Sequence, residues 1–290
     1  MSGDPVISRI AAWAAARPDI AALVQIGSRV QPGNAADQWS DYDFQLISSS
    51  PGAFREPAAY AALGEAWVFS VQPVFGGADK VTLIGPDAVE MDFVLLSSLE
   101  LRVVFAALRY PGLAGLWPPP LREGVRNLRI VACPGWRVLK GGAPWERRYA
   151  RLGAAVPWPA LTEREFQARL SAFWAAAIWT AKKILRGEYR AAQRELQRSV
   201  WECIWALLEE EARSAGAQSR PEARRAEAWL TPDRIRQTAV SGGTDRTALS
   251  AGLLAAATLF EEVSGRLAAE RGWARREHAS ARDWLRSRLG

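Results

Sequence analysis

The chain has 290 residues, 49% of them hydrophobic and 23% charged, an ordinary globular balance with room for one large or two small domains. Its net charge is +6, but the basic residues are scattered without a long like-charged block, which favours a solvated basic surface over a dedicated polyanion groove. Two cysteines, Cys133 and Cys203, and one histidine, His278, exclude the usual zinc spacings, a disulfide framework and a His-based nucleophilic triad, so catalysis falls to carboxylates, Lys, Arg or Ser.

Asp4-Pro5 reads as a helix start, an N-cap followed by proline at the first helical position. Ile7, Ile10, Trp13 and Ala14 recur at helical spacing, and Pro18 ends the run. Arg9 and Arg17-Pro18 interrupt any export-signal core, and no segment approaches membrane-spanning length, so a soluble cytoplasmic protein is expected. Ala22–Ile26 reads as a buried strand ending at Gly27-Ser28. A polar loop covers Arg29–Ser40, and Tyr42–Ile47 reads as a second strand. A helical stretch near Ala58–Gly64 precedes strand-like runs at Trp67–Val71, Val81–Ile84 and Val89–Leu96.

From Tyr110 to Pro159 the chain is rich in Pro, Gly and Trp, with WPPP and VPWP, and reads as a connection packing on both halves. The pattern then turns helical. Thr162 and Glu165 form a capping box, followed by Phe166, Leu170, Phe173, Trp174, Ala177 and Ala181 at helical spacing. A second helix is expected over Glu188–Arg213 and a third over Glu222–Leu230. SGGTD at 241–245 caps a fourth carrying Leu253, Phe260 and Leu267. The fold class is therefore α+β, a mixed sheet flanked by helices (1–160) followed by a helical bundle (161–290). The 14 tryptophans suggest aromatic packing between layers.

Asp41 and Asp43 lie two apart on a strand, so their carboxylates project from one face. Side by side they repel unless a cation sits between them, and magnesium held by carboxylates and substrate phosphates is the usual solution. Gly27 lets the backbone approach a phosphate, and Ser28 adds a hydroxyl and an amide donor. A third acid, Asp92, shares with Glu90 the face of its strand opposite Met91, Phe93 and Leu95. A carboxylate in such an apolar strand needs a partner or a task.

The order GS, polar loop, DYD and a distant Asp resembles the polymerase-beta-like nucleotidyltransferase superfamily. The fuller text IGSRVQPGNAADQWSDYDFQLI is similar to the aminoglycoside 6-adenylyltransferase (streptomycin adenylyltransferase) family. RPDIAALVQIGSR, VEMDFVLL, FWAAAIWTAKKILRGEYRAA and EEVSGRLAAERG extend the likeness over nearly the whole chain. The resemblance implies a nucleotidyltransferase sheet domain and a helical substrate-binding domain. It implies two magnesium ions on Asp41 and Asp43, with Asp92 as a third ligand or as the base for the acceptor hydroxyl. Gly27 and Ser28 would contact the terminal phosphates of ATP, with Arg29 nearby, and Lys182 would reach the triphosphate from the helical half. A substrate hydroxyl would attack the α-phosphorus and pyrophosphate would leave.

A streptomycin-like aminoglycoside, modified for antibiotic resistance, is the first acceptor the resemblance implies. In a continuous helix Glu188, Glu195, Glu202 and Glu209 recur every seven residues, flanking the apolar stripe Ala192, Leu196, Val200, Cys203 and Leu207. Such acids suit a polycation, although Arg190, Arg194 and Arg198 alongside would also make an ordinary salt-bridged surface. Trp201 and Trp205 fall off the apolar stripe. Around Lys140 the text RVLKGGAPW lacks the acidic residues that the family carries there, and the basic net charge does not favour a cationic acceptor. Two other readings are transfer to RNA or protein, and an idle nucleotide-binding protein that keeps the fold. Intact Asp41, Asp43 and Asp92 speak against the last, and a monomer is expected.

Overall fold

The computed structural model describes residues 4–31, 36–74, 76–154, 156, 159–217, 223–239 and 243–290. The chain divides into two units, Met1–Trp158 and Pro159–Gly290.

Helix α1 (Pro5–Ala15) begins as its sequence dictates, with Asp4 Oδ1 accepting from the amides of Val6 and Ile7. Strands β1 (Ile20–Ile26), β2 (Tyr42–Ser48), β3 (Val68–Pro73), β4 (Asp79–Ile84) and β5 (Glu90–Ser97) follow. Helices α2 (Ser98–Ala107) and α3 (Pro119–Ala132), strand β6 (Arg137–Lys140) and helix α4 (Gly142–Ala150) complete the first unit. The helical stretch expected near Ala58–Gly64 is a 3-10 turn over Pro57–Leu63.

The segment expected to be a connection is thus largely structured. Pro119 and Pro120 open α3 instead of breaking it, because the first helical turn needs no internal amide donors. Strand β6 extends the sheet beside β1. Lys140 Nζ donates to the carbonyls of Ala14 and Arg17 at 2.7 and 2.5 Å, at the end of α1 where carbonyls lack intrahelical partners.

The strand order is β3-β4-β5-β2-β1-β6. Neighbours are antiparallel except β2 and β5, which run parallel. Side chains alternate between two cores. Tyr42, Phe44 and Leu46 of β2 and Met91, Phe93 and Leu95 of β5 join Ile10, Trp13, Phe54 and Tyr60 in one. Ala22, Val24 and Ile26 of β1 and Ile47 of β2 join Leu101, Phe105, Leu128 and Tyr149 in the other. Burial on both faces makes the central strands mostly apolar, with Gln25, Gln45, Ser48, Thr82 and Asp92 as buried polar exceptions. The Tyr149 hydroxyl donates to Gln45 Oε1 at 2.6 Å.

The second unit contains α5 (Glu163–Leu185), α6 (Tyr189–Glu195), α7 (Trp201–Ser214), α8 (Ala226–Trp229), α9 (Pro232–Gln237), α10 (Arg246–Arg271) and α11 (Ala279–Leu289). The capping box of Thr162 and Glu165 starts α5, and the apolar stripe from Phe166 to Ala181 is buried. Phe173 stacks on Phe260 with ring centroids 3.7 Å apart, and Leu253 and Leu267 lie in the same core. Asp245 caps α10; Glu222, Ser241 and Gly242 lie outside the described residues.

One expected helix is interrupted. A π turn over Leu196–Val200 separates α6 from α7, adding a residue to the winding and rotating the faces that follow. Trp201, expected off the apolar stripe, is consequently buried in the core, and Trp205 packs against it. Helix α11 was not expected from the sequence; it buries Leu285 fully and packs Ala281, Trp284 and Leu289 against the same core, a short apolar stripe amid Arg and Ser. No described helix is long and apolar enough to cross a membrane.

Tyr149→Phe removes the hydroxyl that Gln45 needs. Leaving a buried amide oxygen unpaired costs about 1–3 kcal/mol, so the urea midpoint of unfolding should fall. An unchanged midpoint would show that the pair is energetically silent.

Candidate active site

Strand register builds the site. Ile26 of β1 pairs with Asp43 of β2, Asp43 with Asp92 of β5, and Asp92 with Thr82 of β4. One row of side chains therefore crosses four adjacent strands on one face. Asp41 and Glu90 stand two residues ahead of Asp43 and Asp92, one row further toward the rim. Ligand oxygens of Asp41, Glu90 and Asp92 lie within 4.8 Å of one another.

Asp92 is only 3% exposed, and a carboxylate that deep requires partners. Strand β4 supplies both. Lys80 Nζ meets Oδ2 at 2.6 Å, and Thr82 Oγ1 donates to Oδ1 at 2.5 Å. Burial pushes the Lys80 pKa down, but the hydrogen bond and charge of Asp92, with Asp43 and Glu90, outweigh it and hold the ammonium above the ordinary lysine value. Glu90 moves upward, through burial first and then through the charges of Asp92 and Asp41, against the pull of Lys80. For Glu90, burial and the neighbouring carboxylates both disfavour the charged form.

Gly27 ends β1 with φ 78° and ψ −164°, a region that favours glycine. A Cβ at this position would overlap Asp43 Oδ2, so the bare backbone is what lets the acidic strand lie alongside. Ser28 opens a 3-10 turn over Ser28–Val30. Arg29 Nη2 donates to the Ser40 carbonyl at 2.6 Å and Nε to the Asp41 carbonyl at 3.2 Å, and the guanidinium lies 3.9 Å over the Tyr42 ring. Arg29, expected near the phosphates, here fixes the backbone that carries Asp41. Tyr42 is held in turn by donating to Asp4 Oδ2 at 2.8 Å.

The remaining expected residues belong to the second unit. Lys182 is exposed on α5. Glu188 precedes α6 and pairs with Lys183 Nζ at 2.5 Å. Glu195 and Glu202 stand on either side of the π turn, which breaks the straight seven-residue stripe. Glu202 lines a cavity of about 420 Å³ with Arg169, Arg198, Trp205 and Glu209.

Glu90, Lys80 and Thr82 were not singled out from the sequence. Glu90 had a signal, its i, i+2 spacing from Asp92, the same spacing that links Asp41 to Asp43. Lys80 and Thr82 share that period, but only the pairing of β4 with β5 brings them to Asp92. All the acids offer oxygen, the hard donor that suits magnesium, and the ligand oxygens of Asp41, Glu90 and Asp92 converge within 4.8 Å of one another. The residues fit a divalent ion.

No family model matches the chain, and no curated protein does. Among solved structures, an aminoglycoside 6-adenyltransferase from Bacillus subtilis is 12% identical over 98% of both chains, with a TM-score of 0.45. A nucleotidyltransferase-like protein from Exiguobacterium sibiricum 255-15 is 12% identical over 98% of this chain and 87% of that one, with a TM-score of 0.36. At those scores neither likeness adds weight to what the acids themselves indicate.

Two substitutions probe the geometry. Gly27→Ala should displace Asp43 and destabilise the protein by about 1–3 kcal/mol through the strained backbone, visible as a lower melting temperature. Glu90→Gln removes a partly buried charge and its repulsion with Asp92 and Asp41, so the metal-free protein should melt higher. A melting temperature that stays the same or falls in Glu90→Gln would contradict the crowding.

Proposed function

We propose that this chain is a magnesium-dependent nucleotidyltransferase that moves AMP from ATP to a hydroxyl of a small molecule, a streptomycin-like aminoglycoside first. The observation that supports this reading best is the convergence of Asp41, Glu90 and Asp92 at one end of the sheet, with Asp43 in the adjoining row beside Gly27. Such a cluster, open to a glycine-lined backbone turn, matches what a triphosphate and its cation require.

Asp41, Asp43, Glu90 and Asp92 would hold the magnesium, which when bound supplies charge neutralisation to the phosphates and their transition state. Lys80 and Thr82 occupy both Asp92 oxygens and keep the carboxylate aimed, which suits a positioned ligand. Gly27 and Ser28 present backbone and hydroxyl where the terminal phosphates approach. The acceptor oxygen forms its bond to the α-phosphorus as the bond from that phosphorus to the pyrophosphate oxygen breaks. The hydroxyl proton passes to a carboxylate of the cluster or to water.

For the acceptor, the cavity bearing Glu202, Glu209 and Trp205 offers acids and an aromatic face of the kind that binds an aminated sugar. A second reading, transfer to RNA or protein, draws on the net charge of +6 and on Arg169 and Arg198 in that same wall.

The test is pyrophosphate release from labelled ATP with magnesium and a panel of aminoglycosides. Turnover with a streptomycin-like compound is expected. Release with RNA or protein alone would move the assignment to the second reading, and no release with any acceptor would sink nucleotidyl transfer. Asp41→Asn should lower turnover by roughly a hundredfold or more with the fold intact by circular dichroism. Unchanged turnover would remove Asp41 from the metal site.

A further inference from the structure

The ion pair between Lys80 and Asp92 goes beyond that reading while resting on its metal site. Lys80 Nζ lies 2.6 Å from Asp92 Oδ2, and Asp92 is one of three acids whose ligand oxygens lie within 4.8 Å of one another. Lys80 is drawn from β4 in the same register that brings Thr82 to Oδ1. Both Asp92 oxygens thus have a donor from one strand, and the lysine is only 24% exposed at its side chain. A buried carboxylate beside other acids would otherwise have its charge uncompensated, at a cost of several kcal/mol.

We propose that Lys80 is a resident cation of the acid cluster, a positioning residue that orients Asp92 and offsets the cluster's negative charge before metal arrives, and that opposes the metal's charge once it is bound. Two consequences follow from simple electrostatics. Removing the ammonium leaves the metal-free cluster more repulsive, so it is less stable. It also deepens the negative potential at the site, so a divalent cation binds more tightly. Thr82 continues to hold Asp92 Oδ1, so the ligand remains in place when Lys80 is changed.

Manganese binding, followed by calorimetry on the whole chain without nucleotide, separates these effects from catalysis. Lys80→Met and Lys80→Gln should each bind Mn²⁺ roughly tenfold or more tightly than the unaltered protein. Without metal each should melt roughly 4 °C or more lower, and Mn²⁺ should restore most of the loss. A variant that folds only when Mn²⁺ is present would support the proposal as well. Lys80→Arg, which keeps the charge, should resemble the unaltered protein in both measurements. Equal or weaker Mn²⁺ binding by both neutral variants, an unchanged metal-free melting temperature, or no Mn²⁺ binding by the unaltered chain would overturn the proposal. Nucleotidyl transfer with unaltered metal binding in the variants would refute the role of Lys80 alone. The predicted Mn²⁺ behaviour without any transfer would leave it standing while removing the enzymatic reading.

Discussion

The parallel pairing of β2 with β5 is the constraint on which the rest of the first unit depends. Parallel strands begin at the same end of a sheet. Because Asp41 and Asp43 stand at the start of β2, and Glu90 and Asp92 at the start of β5, this pairing alone makes them neighbours. An antiparallel arrangement would send the two acidic pairs to opposite ends. Strand β1 runs against β2 and therefore delivers its last residues, and Gly27, to that same end. Strand β4 runs against β5 and sets Thr82 beside Asp92, with Lys80 one step further in.

Holding acids together is costly, and the surrounding structure shows how the cost is offset. Two apolar cores grip the sheet on both faces, so the strands cannot splay to relieve repulsion. Lys80 and Thr82 satisfy the deepest acid, while Glu90 nearer the rim keeps an elevated pKa. Rigid strands with supporting contacts are what a precise ligand set needs. Arg29 extends that support to the loop, bonding the carbonyls of Ser40 and Asp41.

Much of this was legible in the residues. Asp4-Pro5, the Thr162–Glu165 box and the alternation in YDFQLI and EMDFVLL each carry a local physical rule, and each produced the expected element. Local rules failed where tertiary context decides. Proline at 118–120 signals a loop as readily as a first helical turn, and so α3, β6 and α4 were hidden. The π turn at Leu196–Val200 leaves no trace in a heptad count, so Trp201 was placed on the wrong face. Of the acid cluster, spacing fixed which face each carboxylate takes. It could not reveal Lys80, because strand pairing is a property of the sheet.

The β2–β5 pairing also has a consequence for how the protein is made. The β3–β4 hairpin lies between these two strands in the chain, so a long loop must close before they can meet, a slow and non-local step. Until then the acids are scattered along an extended polymer with no shared affinity for an ion. An ion that binds them therefore recognises the finished sheet alone and draws the folding equilibrium toward it. At a free concentration one hundred times its dissociation constant that pull is about 2.7 kcal/mol. If the proposed site holds an ion, the mineral content of the surroundings would thus help decide how much of the chain is folded.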